Sequence, residues 1–371
     1  MIFGVQEGDN MKKILLLSNM YPSKKFPHYG IFVKNTENIL IENNYIVKKV
    51  VIKKNDRKMI KLMSYFIYFF KSFFIMLIKK NDYIYVHYPS LSGIPVLVAN
   101  LFKRQNIIIN IHGNDLVPEN KKDHLFLSIT LKLSKCASKV IVPSEYFKKI
   151  IVEKKTSVYE KVVVFPSGGV DSNTFNKIDK NVSLGYLGLD KCYQYIGYIG
   201  RIEPSKGWNV FLDMVNEIKD PCIKFIVVGS GTEDIKYEKK VKELDLSDRI
   251  IKFDLLSQQE INYIFNALDI FVFPTFRKSE SLGLVGLEAM STNAILLSSD
   301  NYGPTSYIVD GVNGFLFKSK NVESLVSEIY KILSMSESEL EMIRNNAEIT
   351  LQDFSIKKLS KKLVSIFEGD K

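Results

Sequence analysis

Short apolar runs, each followed by a helical stretch, recur along nearly the whole chain, and this alternation limits the fold more than any other feature. In the first half the runs fall at 13–19, 45–52, 83–86, 106–111, 139–142 and 162–165. Helical stretches lie between them, notably 31–43, 62–78 and 124–136. The second half repeats the habit at 194–200, 223–228, 249–253, 270–273 and 294–298. Strands that are apolar along their whole length are buried on both faces, and helices between them make the sheet parallel. Two such series predict an α/β protein of two doubly wound domains, which 371 residues can supply. The polar stretch 172–192 marks the boundary, giving domains over 11–178 and 190–350 and a final helical segment over 351–371. Residues 1–10 lack the basic start and long apolar core of a cleavable signal, and read as an unstructured extension before a second Met at position 11.

Charge separates the halves. Residues 1–180 carry 29 Lys/Arg against 14 Asp/Glu, and the remainder 22 against 27, so +15 and −5 sum to the net +10. Cys136, Cys192 and Cys222 lie far apart without metal-type spacing, which indicates a reducing compartment and no disulfide framework. A basic half suits nucleic acid or anionic lipid. Without the aromatic–glycine signatures of RNA-binding modules, nucleic acid is the poorer partner. The run 62–78 bears one charge, Lys71, is rich in Phe, Tyr and Ile, and is flanked by lysines. Three readings fit it: a helix buried against a sheet, a helix on an anionic membrane surface, or a transmembrane span. The span is disfavoured by its shortness and by the strand-like segments that resume directly after it.

In doubly wound sheets, ligands bind beyond the carboxyl ends of the strands. Five loops there carry chemistry. In 21–30, YPSKKFPHYG, Gly30 precedes a helix whose backbone N–H groups could approach a phosphate. His112, in the HGND loop, can hydrogen-bond a sugar hydroxyl or trade protons near neutrality, although the same four residues also read as a simple turn. The glycines of PSGGVD, 166–171, permit positive φ. GRIEPSKG, 200–207, sets Arg201 and Lys206 ahead of a helix, as a diphosphate leaving group requires. GSGTE, 229–233, lacks the third glycine of a dinucleotide fingerprint and reads as a tight turn.

The segment 277–291, RKSESLGLVGLEAMS, places Glu280 and Glu288 with seven residues between them. On one continuous helix they would share a side, about 12 Å apart along the axis. That suits an extended polar ligand with hydroxyls at both ends and a phosphate between. The same spacing also describes a solvated helix with two surface acids.

GIF after the Pro-rich first loop, HGND, SGGVD, GRIEPSKG, the Glu280/Glu288 pair and the later GPTSYIVDGVNGFLF occur here in this order. Together they resemble the retaining GT-B glycosyltransferases of family 4, the group 1 glycosyltransferases, over residues 12–367. The resemblance implies GT-B architecture, with two Rossmann-like doubly wound domains facing a central cleft. It also implies that the last helix crosses back to the first domain. Arg201 and Lys206 would then hold the diphosphate, Glu288 the ribose hydroxyls, and Glu280 the donor sugar. The backbone of Ser281, Leu282 and Gly283 would contact sugar or phosphate, Gly30 would line the phosphate side, and His112 would sit over the reacting sugar. No cofactor or metal is implied beyond a donor such as a UDP-sugar. The family often reads Glu-Gly-Phe-Gly where this chain has Glu280-Ser281-Leu282-Gly283, which puts the shape of the sugar pocket in question.

These readings converge on transfer of a hexose or N-acetylhexosamine from a nucleotide-diphosphate sugar to a saccharide or polyprenyl-linked acceptor, with a lipid-linked one favoured by the basic first half and the Phe-rich run. The enzyme is expected in the cytoplasm, peripheral at the inner face of a bacterial plasma membrane, building capsule or lipopolysaccharide. The alternatives are a nucleotide-sugar epimerase on the same architecture and a non-catalytic partner in a polysaccharide assembly complex.

Overall fold

The computed structural model describes residues 11–26, 29–166 and 169–368, so the expected extension 1–10 lies outside it. The chain forms two compact units, Met1–Gly168 with Leu359–Lys371, and Gly169–Lys358.

The first unit is built on a six-stranded sheet of β1 (Lys13–Tyr21), β2 (Ile46–Lys53), β3 (Tyr83–His87), β4 (Ile107–Asn110), β5 (Lys139–Val142) and β6 (Val162–Val164). Its order is β2-β1-β3-β4-β5-β6, and every pairing is parallel. Side chains alternate across a strand, so Leu15 and Leu17 of β1 enter one core cluster while Ile14 and Leu16 enter another. All four are fully buried, which is why this strand reads as unbroken apolar sequence. The edge strand β2 instead exposes lysines along IVKKVVIK, a charge pattern that discourages edge-to-edge pairing. Helix starts follow local chemistry: Asn120 accepts from the Lys122 and Asp123 amides, and Ser144 from the Phe147 amide.

The chain returns to this unit at its end. In the helix Ile356–Glu368, Leu359, Leu363, Ile366 and Phe367 are buried in the cluster containing Ile14, Leu16 and Tyr85. The Phe367 ring meets Tyr83 and Tyr85 edge-on at 5.2 Å, and its carbonyl accepts from the Tyr83 hydroxyl.

The second unit carries β7 (Gln194–Ile199), β8 (Ile223–Val228), β9 (Ile250–Phe253), β10 (Ile270–Phe273), β11 (Ile295–Ser299) and β12 (Phe315–Phe317). The order is β12-β11-β10-β7-β8-β9, again parallel throughout. Tyr195 and Ile199 face one cluster and Ile196 and Tyr198 the other. Strand β12 escaped the sequence reading because three residues between turns show no period. The division also falls earlier than the 172–192 stretch suggested. Asn176 and Ile178 donate backbone N–H to Asn262 and Asn266 side chains at 3.2 and 2.9 Å, and Lys180 pairs with Asp269 at 2.5 Å. These contacts bind the segment to the second unit, although its composition is that of a linker.

Strand order reverses between β1 and β3 in one sheet and between β7 and β10 in the other. At such a point adjacent strands send their connections to opposite faces, leaving a crevice at their carboxyl ends. Each unit therefore has one place suited to a ligand.

The docking of the last helix is testable. Replacing the fully buried Leu363 by Ala is expected to cost about 2–5 kcal/mol in urea unfolding. The exposed neighbour Lys361→Ala should stay within about 0.5 kcal/mol of wild type.

Candidate active site

In the second unit, the loops after β7 and β10 meet at the reversal point. Gly207, with φ +81°, lets them do so: a Cβ there would lie 2.0 Å from the Pro274 carbonyl oxygen. Only glycine tolerates both the conformation and the approach. The Phe276 amide then donates to the Ser205 carbonyl at 2.9 Å, fastening one loop to the other. Across this junction Lys206 Nζ donates to Glu280 Oε2 at 2.5 Å, and the Thr275 hydroxyl donates to the same oxygen at 3.3 Å. Both charged side chains are largely buried, at 14% and 13% exposure. Burial pushes the Glu280 carboxyl up. The Lys206 charge and hydrogen bond, the Arg277 charge and the Thr275 hydroxyl outweigh it, so Glu280 titrates below its ordinary range.

Glu280 does not sit on the helix that carries Glu288, contrary to the spacing argument. The helix runs Leu284–Met290, after Gly283 in the left-handed region, so Glu288 lies about one turn in. Glu280 belongs to the preceding loop, where its carbonyl accepts from Gly303 at 3.0 Å. That bond anchors the GPTS turn against the Glu280–Leu282 backbone. Glu288 differs sharply from Glu280. It is half-buried, and among the described residues no hydrogen bond reaches its carboxylate. Burial alone raises it to about 7. Between them Tyr307 donates to the Gly283 carbonyl at 2.9 Å. Burial, with the Glu280 and Glu288 charges, pushes the Tyr307 hydroxyl well above its usual value.

Arg201 stands apart from this cluster. Its guanidinium is exposed and paired with Glu203 at 2.6 Å, while its carbonyl accepts from Tyr198. Leu282 packs into the core, so it can offer a ligand only backbone. Ser281 is half-buried beside it.

In the first unit, the carboxyl ends of β1, β3 and β4 bring together Gly30, His87 and His112. Gly30, φ +76°, starts the helix Ile31–Glu42 and rests on the Met20–Tyr21 backbone, where a Cβ would come within 2.8 Å. Asp115 closes the HGND turn by accepting from the amides of His112 (3.1 Å) and Gly113 (2.7 Å). Burial raises Asp115 to about 6 despite those backbone donors. The His112 ring is buried against Phe32, centroids 4.4 Å apart, and Tyr88, 4.9 Å.

His112 Nε2 lies 3.0 Å from His87 Nδ1, and His87 Nε2 lies 3.3 Å from Thr36 Oγ1. The Thr36 hydroxyl gives its hydrogen to the Val33 carbonyl at 3.0 Å. His87 Nε2 must therefore donate to Thr36, His87 Nδ1 accept from His112 Nε2, and His112 keep Nδ1 as its acceptor. Burial lowers His112 to about 3, and burial with the His112 charge lowers His87 well below its ordinary value. Burial favours the neutral form of both rings, and the chain of contacts leaves His112 Nδ1 as an acceptor. The sequence reading overlooked His87, which closes an apolar strand run. Its signal was a titratable residue at the carboxyl end of β3, ahead of Tyr88-Pro89.

Parallel six-stranded sheets in two units, with charged groups at the reversal point of the second, are the architecture of a GT-B glycosyltransferase. The solved structure of Anabaena Alr3699/HepE in complex with UDP and glucose matches with a TM-score of 0.75, covering 97% of this chain and 100% of that one at 17% identity. Residues 185–349 match the family model of group 1 glycosyl transferases. The 2-deoxystreptamine N-acetyl-D-glucosaminyltransferase of Niallia circulans is 25% identical over 280 residues, 69% of this chain and 68% of its own length. The capsular polysaccharide biosynthesis glycosyltransferase CapM of Staphylococcus aureus is 25% identical over 287 residues, 75% of this chain and 74% of its own.

Glu288 gives the site a pH signature. Its folded value of about 7 lies above the ordinary 4.5. Between those values the folded chain keeps a proton that the unfolded chain has released, so stability falls as pH rises through the window and levels off above it. Asp115, His87 and His112 give both proteins a common pH dependence, so in denaturation from pH 5 to 8 the wild-type slope should differ from that of Glu288→Gln by on the order of 1–3 kcal/mol in total. Equal slopes would remove Glu288 as its source.

Proposed function

We propose that the chain transfers a hexose or N-acetylhexosamine from a nucleotide-diphosphate sugar, UDP being the leading nucleotide, to a saccharide acceptor carried on a lipid. Anomeric configuration is retained, and the product enters a bacterial surface polysaccharide. The observation that carries this reading is the buried Lys206–Glu280 pair at the β7/β10 reversal, followed one helical turn beyond Gly283 by the Glu288 carboxylate, which has no donor among the described residues.

The two carboxylates are prepared for different tasks. Lys206 keeps Glu280 ionised, so it can accept hydrogen bonds from donor-sugar hydroxyls. An incoming diphosphate competes for the same ammonium, which is already desolvated and aimed. As the bond from the anomeric carbon to the phosphate oxygen breaks, negative charge grows on the leaving diphosphate, and a fixed cation in a dry setting stabilises that charge most. The exposed Arg201 is free to swing from Glu203 to the same phosphates, and this basic pair makes a divalent ion unnecessary. Glu288 takes the ribose hydroxyls, whose donated hydrogen bonds favour its ionised form. The acceptor oxygen attacks from the face the diphosphate leaves, and its proton passes to the departing phosphate oxygen, so no protein nucleophile is needed. In the first unit, the acceptor nitrogen of His112 suits a substrate hydroxyl.

The relatives support the choice of chemistry. The Niallia enzyme is named for N-acetyl-D-glucosaminyl transfer, CapM for capsular polysaccharide, and the Anabaena structure holds UDP and glucose.

A thermal-shift panel of nucleotide sugars on the purified chain should single out one donor. With that donor, Lys206→Ala is expected to lower kcat/KM by roughly 10²–10³-fold, the range for losing one group that stabilises developing charge, and Glu288→Ala by roughly 10–100-fold, chiefly through KM, for the lost hydrogen bonds to ribose. Because Lys206→Ala leaves Glu280 unpaired, a Lys206→Met/Glu280→Gln double variant checks that the fold survives. Near-normal turnover in either single variant would overturn the assignment.

A further inference from the structure

The helix Lys58–Ile78 is apolar on every side, yet the protein covers only one side of it. Tyr68, Ser72 and Met76 are buried, and the Tyr68 hydroxyl donates to the Ser92 carbonyl at 3.2 Å. The opposite face carries Met59, Leu62, Phe66, Phe70, Phe74 and Ile78, spaced three or four residues apart, and all are exposed. At about 100° per residue, these six lie within one stripe directly across from the buried three. Leu62 is 66% exposed, Phe66 61% and Ile78 75%. The aromatic rings run together, with Phe66 4.5 Å from Phe70, and Phe70 6.4 Å from Phe74. The end of the helix Ile94–Phe102 extends the patch through Leu101 and Phe102, 84% and 72% exposed, the latter edge-on to Phe73 at 6.0 Å. A contiguous apolar surface of this kind on a folded unit marks an interaction site.

What surrounds the stripe identifies the partner. Arg57, Lys58, Lys61, Lys71, Lys79 and Lys80 lie on or beside the helix, and Lys103 and Arg104 follow Phe102. No Asp or Glu occurs between Asp56 and Asp82. A second copy of this face would bring like charges together around the apolar stripe. An anionic bilayer answers both features, taking the aromatic side chains at its interface and the basic ones among its headgroups. The helix is long and apolar enough by composition to cross a membrane. To do so, it would have to withdraw Tyr68 and Met76 from the core of the first unit.

We propose that Lys58–Ile78 lies in the plane of an anionic lipid surface, with Leu62, Phe66, Phe70 and Phe74 inserted and the flanking lysines on the headgroups, while its Tyr68–Met76 side stays in the protein. This docking is independent of the sugar-transfer reading, because it is measured without donor or acceptor.

Flotation of the full chain with phosphatidylcholine–phosphatidylglycerol vesicles, compared with phosphatidylcholine alone, provides the test. Wild type should float with the anionic vesicles and lose most of that binding near 1 M salt, where the screening length falls to about 3 Å. Phe66→Ser/Phe70→Ser/Phe74→Ser should weaken partitioning about tenfold or more. Replacing Lys58, Lys61, Lys79 and Lys80 by Gln should abolish the preference for anionic lipid. Leu62→Ser/Ile78→Ser, at the two ends of the stripe, gives the same reading should the triple Phe variant fold poorly. Ile235→Ser, exposed in the second unit, should float as wild type does. Unchanged flotation of the folded Phe and Leu/Ile variants would overturn the proposal. So would a wild-type dimer that ignores vesicles and that the Phe changes convert to monomer.

Discussion

Burial of both faces of each parallel sheet governs everything else in this protein. Where Ile14–Leu17 and Tyr195–Ile199 are sealed from water on both sides, a polar group placed mid-strand must find its partner within the protein, as the Tyr198 hydroxyl does in the Arg201 carbonyl. Polar chemistry is displaced to the strand ends. It concentrates where strand order reverses, because only there do neighbouring connections part and leave room. Lys206 and Glu280 occupy that place in one unit, and His87 and His112 lie at strand ends near it in the other.

At each of these places the protein fixes the state of its groups before any ligand arrives. Glu280 and Glu288 are the same residue type eight positions apart, yet one is held ionised by an ammonium and the other is left to its desolvation. The difference comes from partners, not from depth. In the first unit a single hydroxyl sets the direction of the whole Thr36–His87–His112 chain, since Thr36 has one hydrogen and gives it to Val33. Electrostatic preparation of this kind avoids reorganisation at the moment of reaction.

Much of this was legible in the sequence where a local rule acts alone. Unbroken apolar runs located eleven of the twelve strands among the described residues, and loops with Gly, Lys and Glu pointed to the second-unit cluster. Other features depend on contacts that no local pattern encodes. Phe315–Phe317 is a strand only because β11 lies beside it. The polar stretch around Asn176–Lys180 resembles a linker, and only the facing side chains of Asn262, Asn266 and Asp269 make it part of the second unit. Glu280 and Glu288 looked like two points on one helix because spacing cannot reveal that Gly283 takes a left-handed turn between them. His87 was hidden by its position at the end of a run that reads as core.

The final helix has a consequence for how the protein is made. Phe367 closes the core around Tyr83 and Tyr85, so the first unit includes residues synthesised after the whole of the second. During synthesis, domains generally fold from the N-terminus onward. Here the second unit can be complete while the first still lacks one wall, its apolar cluster waiting for the helix Ile356–Glu368 to leave the ribosome. A frameshift or nick just after the second unit would therefore injure the unit that was translated first.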